Sequence, residues 1–259
     1  MRTERPVIVA GGTDFFPARG RAQITEPILD ITRVTALRGL EWKDDWLRIG
    51  AASTWSDVIR ADLPPAFDAL KAAAREVGSV QIQNAGTVAG NLCNASPAAD
   101  GVPPLMTLDA EVELASSDGP RRVPLEQFLK GPRQTDLQAG EMLVALHMPR
   151  PPAHAASAFE KLGARKYLVI SIAMTAVVVG VRDGLIDHAR VAVGSCAPKA
   201  VRLRQLEADL IGTAPGALAI TPDHLAELTP ITDVRADATY RLEAVPHQIT
   251  RAIMAACDG

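Results

Sequence analysis

Two short loops, far apart in the chain, combine glycine with hydroxyl and amide side chains. The first is V-A-G-G-T-D over residues 9–14, and the second is N-A-G-T-V-A-G-N over residues 84–91, continuing into N-A-S-P-A-A-D, which ends at Asp100. Neither loop contains a lysine. Loops of this kind bind ligands through main-chain N–H groups and hydroxyl dipoles, as a diphosphate is bound where no metal ion or phosphoryl transfer takes part. The two loops therefore indicate a site for a dinucleotide cofactor and not for ATP chemistry.

The surroundings of the second loop strengthen this interpretation. Alone, the Gly11-Gly12 pair is typical of a structural turn. Gly86 and Gly90, however, stand on either side of Thr87 in a stretch rich in glutamine and asparagine, which a simple connection does not need. The chain has no G-x-G-x-x-G sequence that opens a helix and no G-x-x-x-x-G-K-S/T sequence, so we predict neither a Rossmann domain nor a P-loop.

The composition is that of an ordinary globular protein. Of 259 residues, 47% are hydrophobic and 22% are charged, and the formal net charge of -3 is distributed without the basic stripe that nucleic-acid binding requires. The most apolar run, residues 168–181, is shorter than the ~20 residues that cross a bilayer, so we expect no membrane span. The first residues carry charges of both signs and no apolar signal segment, so we expect a cytoplasmic protein.

The cysteines do not suit a metal cluster. Cys93, Cys196 and Cys257 are the three in the chain, and none belongs to a C-x-x-C pair. An iron–sulfur cluster held by four thiolates cannot be built from them. We expect each to be a small buried residue in a reducing compartment. Any iron–sulfur chemistry would therefore require a partner chain.

Periodicity and turn residues predict a first half of mixed helices and strands. Strands are expected over residues 7–10, 27–31, 46–51, 111–115, 121–125 and 142–148. Helices are expected over residues 55–61, where Thr54 and Asp57 resemble a capping box, and over residues 66–77 after Pro64-Pro65. A proline-rich connector over residues 149–156 favours a domain boundary near residue 155, which divides the chain into residues 1–155 and 156–259.

The second half is expected to combine a small sheet with helices. A strand over residues 158–162, the apolar run 168–181 as buried sheet, and a strand over residues 185–193 predict a meander of about three strands. Helices are expected over residues 201–211, near Thr221, and from residue 238 to the end. Pro246 removes an intrahelical hydrogen bond and is expected to kink or split the last helix.

The two loops together closely resemble those of the FAD-binding subunit of the molybdenum hydroxylases, the family of xanthine dehydrogenase, aldehyde oxidoreductases, nicotinate dehydrogenase and aerobic carbon monoxide dehydrogenase. The family's A-G-G-T-D/E loop corresponds to residues 10–14, and its T-x-G-G-N…A-S-P-x-x-D segment to residues 87–100. The second half is similar to the family's C-terminal flavoprotein domain in Ala197-Pro198, in P-I-T-D-V-R over residues 230–235, and in Tyr240-Arg241. The resemblance covers nearly the whole chain.

The fold that this resemblance implies is α+β. A two-part FAD-binding domain of the vanillyl-alcohol-oxidase type, also called the PCMH type, would occupy residues 1–155. A smaller C-terminal domain with a three-stranded sheet and helices would follow over residues 156–259.

The resemblance also implies how the two loops bind FAD. Residues 9–15 would surround the diphosphate with main-chain N–H groups, and Gly11 and Gly12 would allow the backbone to come close. Residues 87–91 would form the facing wall.

Further positions are implied beyond the loops. Ser96 and Asp100 would hydrogen-bond to cofactor hydroxyl groups, and Leu143 and Lys161 match family positions that touch the flavin. The complete implied set is Val9, Ala10, Gly11, Gly12, Thr13, Asp14, Phe15, Thr87, Val88, Ala89, Gly90, Asn91, Ser96, Asp100, Leu143 and Lys161. No catalytic acid or base and no metal ligand is assigned.

Two departures from the family pattern concern the loops. Family members usually carry a strand and a helix before the first loop, whereas Ala10 lies nine residues after Met1, so we expect this unit to be missing or truncated. Ala89 stands where the family has the first glycine of G-G-N, which the fold tolerates if the φ angle of Ala89 is negative.

The function that the resemblance implies is that of the medium subunit of a multi-subunit molybdenum hydroxylase. Such a subunit takes electrons from a partner 2Fe-2S small subunit, beside a molybdopterin large subunit, and passes them through FAD to NAD or another acceptor. Two alternatives stay open. One is a free-standing flavin oxidase or reductase of the same fold, and the other is a non-catalytic assembly subunit that has lost FAD.

Overall fold

Two β-sheets, each covered by helices, form most of the protein, and the computed structural model describes residues 6–258. The strands are β1 (Val7–Val9), β2 (Ile28–Asp30), β3 (Leu40–Lys43), β4 (Trp46–Gly50), β5 (Glu111–Ser116), β6 (Gly119–Pro124), β7 (Leu129–Gly131), β8 (Gln134–Thr135), β9 (Met142–Pro149), β10 (Ala155–Leu162), β11 (Ala173–Arg182), β12 (Leu185–Gly194) and β13 (Val201–Arg202). The helices are α1 (Phe15–Arg19), α2 (Trp55–Arg60), α3 (Asp68–Glu76), α4 (Val80–Ala85), α5 (Val88–Asn94), α6 (Val102–Thr107), α7 (Leu125–Phe128), α8 (Arg204–Leu210) and α9 (Ala238–Cys257), with short 3-10 helices at Thr35–Leu37, Pro65–Phe67 and Pro222–Leu225. Within the described residues, no helix has the length and apolar character needed to cross a membrane.

The first half is built on a five-stranded antiparallel sheet with the strand order β3-β4-β9-β5-β6. Alternate residues of its strands face the core, so that Leu47 and Ile49 in β4 and Leu146 and Met148 in β9 are buried. Side chains of α2, α3, α5 and α6 belong to the same hydrophobic cluster. Val88, at the start of α5, is one of them, so the second glycine loop is anchored in this core.

The first glycine loop follows a separate pair of strands. β1 and β2 run parallel, with Val7 opposite Ile28 and Val9 opposite Asp30. The Ile31 N–H donates to the Val9 carbonyl oxygen at 3.0 Å, and Ile31 packs in a small buried cluster beside the main core. The predicted strands on either side of this loop are therefore confirmed.

The second half contains an antiparallel sheet with the order β10-β11-β12-β13. The predicted meander of three strands is confirmed, and the two-residue strand β13 extends it. Helix α9 covers the sheet with Val245, Ile249 and Ala252, which are fully buried. Pro246 lies inside α9 without splitting it, because the buried residues before and after the proline hold both parts of the helix on the sheet.

Two predictions for the second half are wrong in part. The apolar run does not enter the sheet until Ala173, and residues 168–172 form a loop in which Leu168 has a φ angle of 50° and Leu168 and Ile170 are exposed. The predicted helix over residues 201–211 begins only at Arg204, because Val201 and Arg202 pair with β12. In both places a long-range strand pairing decides a local conformation that residue preferences left ambiguous.

The two halves are joined by an ion-pair network around one buried arginine. The chain crosses from the first sheet to the second between β9 and β10, and the boundary near residue 155 stays a prediction. Arg202, which is 2% exposed, donates to Glu207 Oε2 at 2.7 Å within the second half, and to Asp109 Oδ1 at 2.8 Å and the Met106 carbonyl oxygen at 2.9 Å in the first. Hydrogen bonding by Asp109 and Glu207 raises the pKa of the Arg202 guanidinium against the effect of burial, so the group stays charged.

We predict that Arg202→Met lowers the free energy of unfolding by about 3–5 kcal/mol, because it leaves a buried carboxylate without its partner. Arg204→Met is the matched control, since Arg204 makes an exposed ion pair with Glu126 at 2.7 Å and its loss should cost less than about 1 kcal/mol. Urea denaturation followed by circular dichroism measures both changes. Equal losses in the two variants would show that the buried network does not hold the halves together.

Candidate cofactor-binding site

The first glycine loop presents main-chain N–H groups that the protein leaves free. β1 ends at Val9, and the chain turns at Gly12, whose φ angle of +69° lies in the left-handed region that favours glycine. α1 begins just after, with the Phe16 N–H donating to the Gly12 carbonyl oxygen at 3.2 Å. Among residues 6–258, no protein acceptor receives a hydrogen bond from the N–H groups of residues 11–14. Consecutive free N–H groups of this kind suit an anion.

The second glycine loop is held rigidly by the segment around α2. The predicted capping box is confirmed, because the Thr54 N–H donates to Asp57 Oδ2 at 2.9 Å and the Asp57 N–H donates to Thr54 Oγ1 at 3.2 Å. Beside it, the Trp55 N–H donates to the Gly86 carbonyl oxygen at 3.1 Å. Thr87 caps α5 by accepting from the Gly90 N–H at 3.0 Å.

Ala89 fits the place of the expected glycine. It lies within α5 and is not among the residues with a positive φ angle, so its side chain is accommodated without strain. The expectation that alanine is tolerated here if its φ angle is negative is therefore confirmed.

The two loops touch each other directly. A side-chain carbon added at Gly11 would lie 1.8 Å from the Ala85 carbonyl oxygen, and one added at Gly86 would lie 3.3 Å from Thr13 Oγ1. The resemblance implies that Gly11 lets the backbone approach a ligand. In the structure, Gly11 also makes a close approach to the second loop, which leaves no room for a side chain at this position.

A groove made of two adjacent cavities runs along the loops and between the halves. One part, which we call the loop cavity, has a volume of about 570 Å³ and lies between the glycine loops. The other, the central cavity, has a volume of about 630 Å³ and is lined by both halves. Asp14, Val77, Asn91, Asn94 and Arg133 line both parts, so the two cavities are adjacent. Each volume lies within the range of about 300–1,000 Å³ typical of ligand sites.

Most of the predicted site residues line this groove. The loop cavity is lined by Val9, Ala10, Gly12, Thr13, Asp14, Phe15, Thr87, Gly90 and Asn91. The central cavity is lined by Ser96 and Asp100, with Asp14 and Asn91 shared. The structure therefore brings the two distant sequence segments to one surface.

Five predicted residues do not line the groove. Gly11 is covered by the second loop, and Val88 and Ala89 are buried in the first core. Leu143, in strand β9, is buried in the same core. Lys161 lines a separate cavity of about 390 Å³. A contact between the flavin and either Leu143 or Lys161 stays a prediction, and neither side chain lies on the wall of the loop cavity or central cavity.

Asp100 is the most buried carboxylate on the groove wall. It is 8% exposed, and its carboxylate accepts from Lys161 Nζ at 2.7 Å and from Ser171 Oγ at 2.5 Å. Burial raises the pKa of the Asp100 carboxyl above its usual range, although Lys161 and Ser171 both favour the ionised form. Lys161 therefore does not line the groove itself. Its positive charge stabilises the ionised form of Asp100, which does line the groove.

Several groove residues lie outside the set of site residues predicted from the sequence. Ser171 and Ser195 line the central cavity from the second half, and Arg241 joins them from α9. The Asn91 Oδ1, Ser195 Oγ and Arg241 Nε atoms are buried there and have no hydrogen-bond partner among the described residues. Buried polar atoms in proteins are nearly always paired, so these three indicate a polar ligand in the central cavity.

The cysteines differ from expectation in two cases, one of which is Cys257, which is only half-buried. Cys196 is buried, and burial raises the pKa of its thiol to about 11. Cys93, expected to be buried, is exposed on the wall of the loop cavity, because α5 turns this side of the helix to the groove.

We predict that Gly11→Ala lowers the free energy of unfolding by about 1–3 kcal/mol, because the added methyl group collides with a backbone carbonyl that cannot move without the second loop. Gly131→Ala is the control, since a carbon added there meets only the end of the Gln134 side chain at 3.9 Å. Chemical denaturation compares the two variants. If Gly11→Ala is as stable as Gly131→Ala, the loops do not depend on this contact.

Comparison with known proteins gives matches along nearly the whole chain. The family described as the FAD binding domain in molybdopterin dehydrogenase matches residues 2–151, and the family described as the CO dehydrogenase flavoprotein C-terminal domain matches residues 157–256. The nicotinate dehydrogenase FAD-subunit of Eubacterium barkeri is 36% identical over 217 residues, covering 80% of this chain and 72% of that protein.

Two further relatives cover more of the chain. The xanthine dehydrogenase FAD-binding subunit of Escherichia coli O157:H7 is 33% identical over 246 residues, covering 92% of this chain and 84% of that protein. A solved structure of carbon monoxide dehydrogenase from Hydrogenophaga pseudoflava, lacking the Mo-pyranopterin moiety of its molybdenum cofactor, matches with a TM-score of 0.86 and 29% identity. That match covers 98% of this chain and 90% of the other.

Proposed function

The chain belongs to the family of FAD-binding subunits of molybdopterin dehydrogenases, which are oxidoreductases of the xanthine and carbon monoxide dehydrogenase type, and from this premise we propose that it binds FAD and passes electrons through it. The observation that carries the proposal is the pair of glycine loops in direct contact, with free N–H groups on residues 12–14, which line the loop cavity.

The loop cavity suits the diphosphate of FAD. The free N–H groups of residues 12–14 would donate to its phosphate oxygens, which fits an anion held without a lysine. Across the cavity, Thr87 and Gly90 would form the facing wall. Asn91, at the junction of the two cavities, has a buried amide oxygen that a hydroxyl group of the cofactor would satisfy.

The central cavity suits the ribityl chain and the ring. Ser96 and Asp100 line it and would hydrogen-bond to ribityl hydroxyl groups. Each carboxylate oxygen of Asp100 accepts one hydrogen bond from the protein, which leaves each a lone pair for a ligand. Lys161 would hold Asp100 in place. These residues bind and orient the cofactor, and none of them needs to exchange a proton with it.

When bound, FAD accepts electrons singly and releases them in pairs, which is the chemistry that links one-electron iron–sulfur centres to a two-electron acceptor. We infer that a 2Fe-2S small subunit supplies the electrons in a cytoplasmic complex with a molybdopterin large subunit. NAD or another acceptor would take them up. The two-domain division at residue 155 belongs to the same proposal, with the ring lying where the halves meet.

We predict that Asn91→Leu weakens FAD binding by about 2- to 12-fold, which corresponds to the loss of one hydrogen bond of about 0.5–1.5 kcal/mol. Because Asn91 Oδ1 has no protein partner among the described residues, the variant without FAD should be at least as stable as the unsubstituted chain. Titration of the apoprotein with FAD, followed by flavin fluorescence, measures the affinity.

Two results of this titration would count against the proposal. Failure of the unsubstituted, folded chain to bind FAD would favour an assembly subunit that has lost the cofactor. Equal affinity of Asn91→Leu and the unsubstituted chain for FAD would show that Asn91 does not bind the cofactor.

A further inference from the structure

The buried polar atoms without partners are concentrated in one place. Among the described residues, five side chains carry such an atom: Asn91, Thr175, Ser195, Arg241 and Gln248. Three of them line the central cavity, and two of these three, Ser195 and Arg241, come from the second half of the chain. No family motif used above assigns a ligand to either residue.

Ser195 is held in an unfavourable conformation next to the cavity. It follows the end of β12 with a φ angle of 62°, which is uncommon for a residue with a side chain. Its N–H donates to the Pro97 carbonyl oxygen of the first half at 3.1 Å, which fixes the backbone, while its 8%-exposed side chain finds no partner. A strained backbone that positions an unpaired hydroxyl group at a cavity is typical of a functional site.

Arg241 is paired with the protein through two of its three nitrogens. The side chain is 1% exposed, and its Nη1 donates to the carbonyl oxygens of Ile172 and Ser195. Its Nη2 donates to Asp233 Oδ1 at 2.8 Å. Nε is the only nitrogen of this guanidinium without a partner among the described residues.

The wall formed by these residues carries a net positive charge. Arg235 also pairs with the Asp233 carboxylate, with its Nε at 3.0 Å from Oδ2, so one carboxylate serves two guanidinium groups. All three side chains line the central cavity together with Ser195. Hydrogen bonds from Arg235 hold the pKa of Asp233 far below its usual range, so the carboxylate is ionised and the wall keeps one excess positive charge.

We propose that Ser195 and Arg241 bind the pyrimidine half of the isoalloxazine ring of FAD. This inference rests on the proposed function. The pyrimidine edge of a flavin offers carbonyl oxygens and ring nitrogens as acceptors, and the wall offers a hydroxyl group and an Nε–H as donors beside a positive charge. The second half of the chain would thereby bind the isoalloxazine ring, while the glycine loops of the first half bind the diphosphate.

The experiment compares two ligands that share only the nucleotide half. Full-length apoprotein is titrated with FAD and, separately, with ADP, which lacks the ring. Ser195→Ala should raise the Kd for FAD by about 2- to 12-fold, the effect of one lost hydrogen bond. The Kd for ADP should not change, because its binding does not reach Ser195.

Thr175→Val is the matched control. Thr175 also carries a buried hydroxyl group without a partner among the described residues, but it lies in β11 and does not line the central cavity. Its replacement should leave both Kd values unchanged. Ser195→Gly is a second test of the same site, because glycine removes the hydroxyl group and relieves the positive φ angle. It should give a higher Tm than the unsubstituted apoprotein and the same selective loss of FAD affinity.

Arg241→Lys tests the second donor. It keeps the charge beside Asp233 and removes the Nε–H group. In folded protein, checked by circular dichroism, it should also weaken FAD binding and leave ADP binding unchanged. If this variant does not fold, the Ser195 variants decide the question.

The outcomes separate this inference from the proposed function. If the unsubstituted apoprotein binds FAD and the Ser195 variants bind it equally well, the ring assignment is overturned and the proposed function stands. An equal loss for FAD and ADP would also overturn the ring assignment, because the hydroxyl group would then act on the nucleotide half. If the unsubstituted apoprotein binds no FAD, both proposals fail.

Discussion

The contact between the two glycine loops is the constraint on which the site depends. Gly11 lies so close to the Ala85 carbonyl group that any side chain at this position would displace one of the loops. Both loops are fixed from behind, the first by its parallel strand pair and the second by the capped start of α2 and the buried residues of α5. Because the backbones meet, the free N–H groups of the first loop face a rigid wall across the loop cavity. Rigid dipoles of this kind bind an anion without first having to reorganise.

Charge burial connects this site to the second half of the chain. Asp100 follows the second loop, yet its two hydrogen-bonding partners, Lys161 and Ser171, belong to β10 and to the loop before β11. A second ion pair also crosses between the halves, from Arg202 in β13 to Asp109 in the first half. A buried charge that loses its partner costs several kcal/mol, so the two halves hold one relative position. Both halves therefore contribute hydrogen-bonding groups to the walls of the central cavity between them.

The sequence predicts the local features of this protein well and the long-range ones poorly. The capping box at Thr54, the strands around the first loop and the negative φ angle required of Ala89 all follow from neighbouring residues, and all are confirmed. Leu168 and Ile170 look like core residues, but strand pairing begins later and leaves them exposed at the cavity. The partner of Gly11, the position of Lys161 behind Asp100, and the unpaired hydroxyl group of Ser195 depend on residues far away in the chain. Such long-range contacts cannot be predicted from the spacing of residues along the sequence.

The most direct test of the account is the visible absorption spectrum of the purified full-length chain, recorded before and after acid precipitation, with the released chromophore identified by its mass. The account predicts a flavin spectrum and intact FAD in the supernatant, either as purified or after reconstitution with added FAD. A folded protein that stays colourless and cannot be reconstituted with FAD would contradict it.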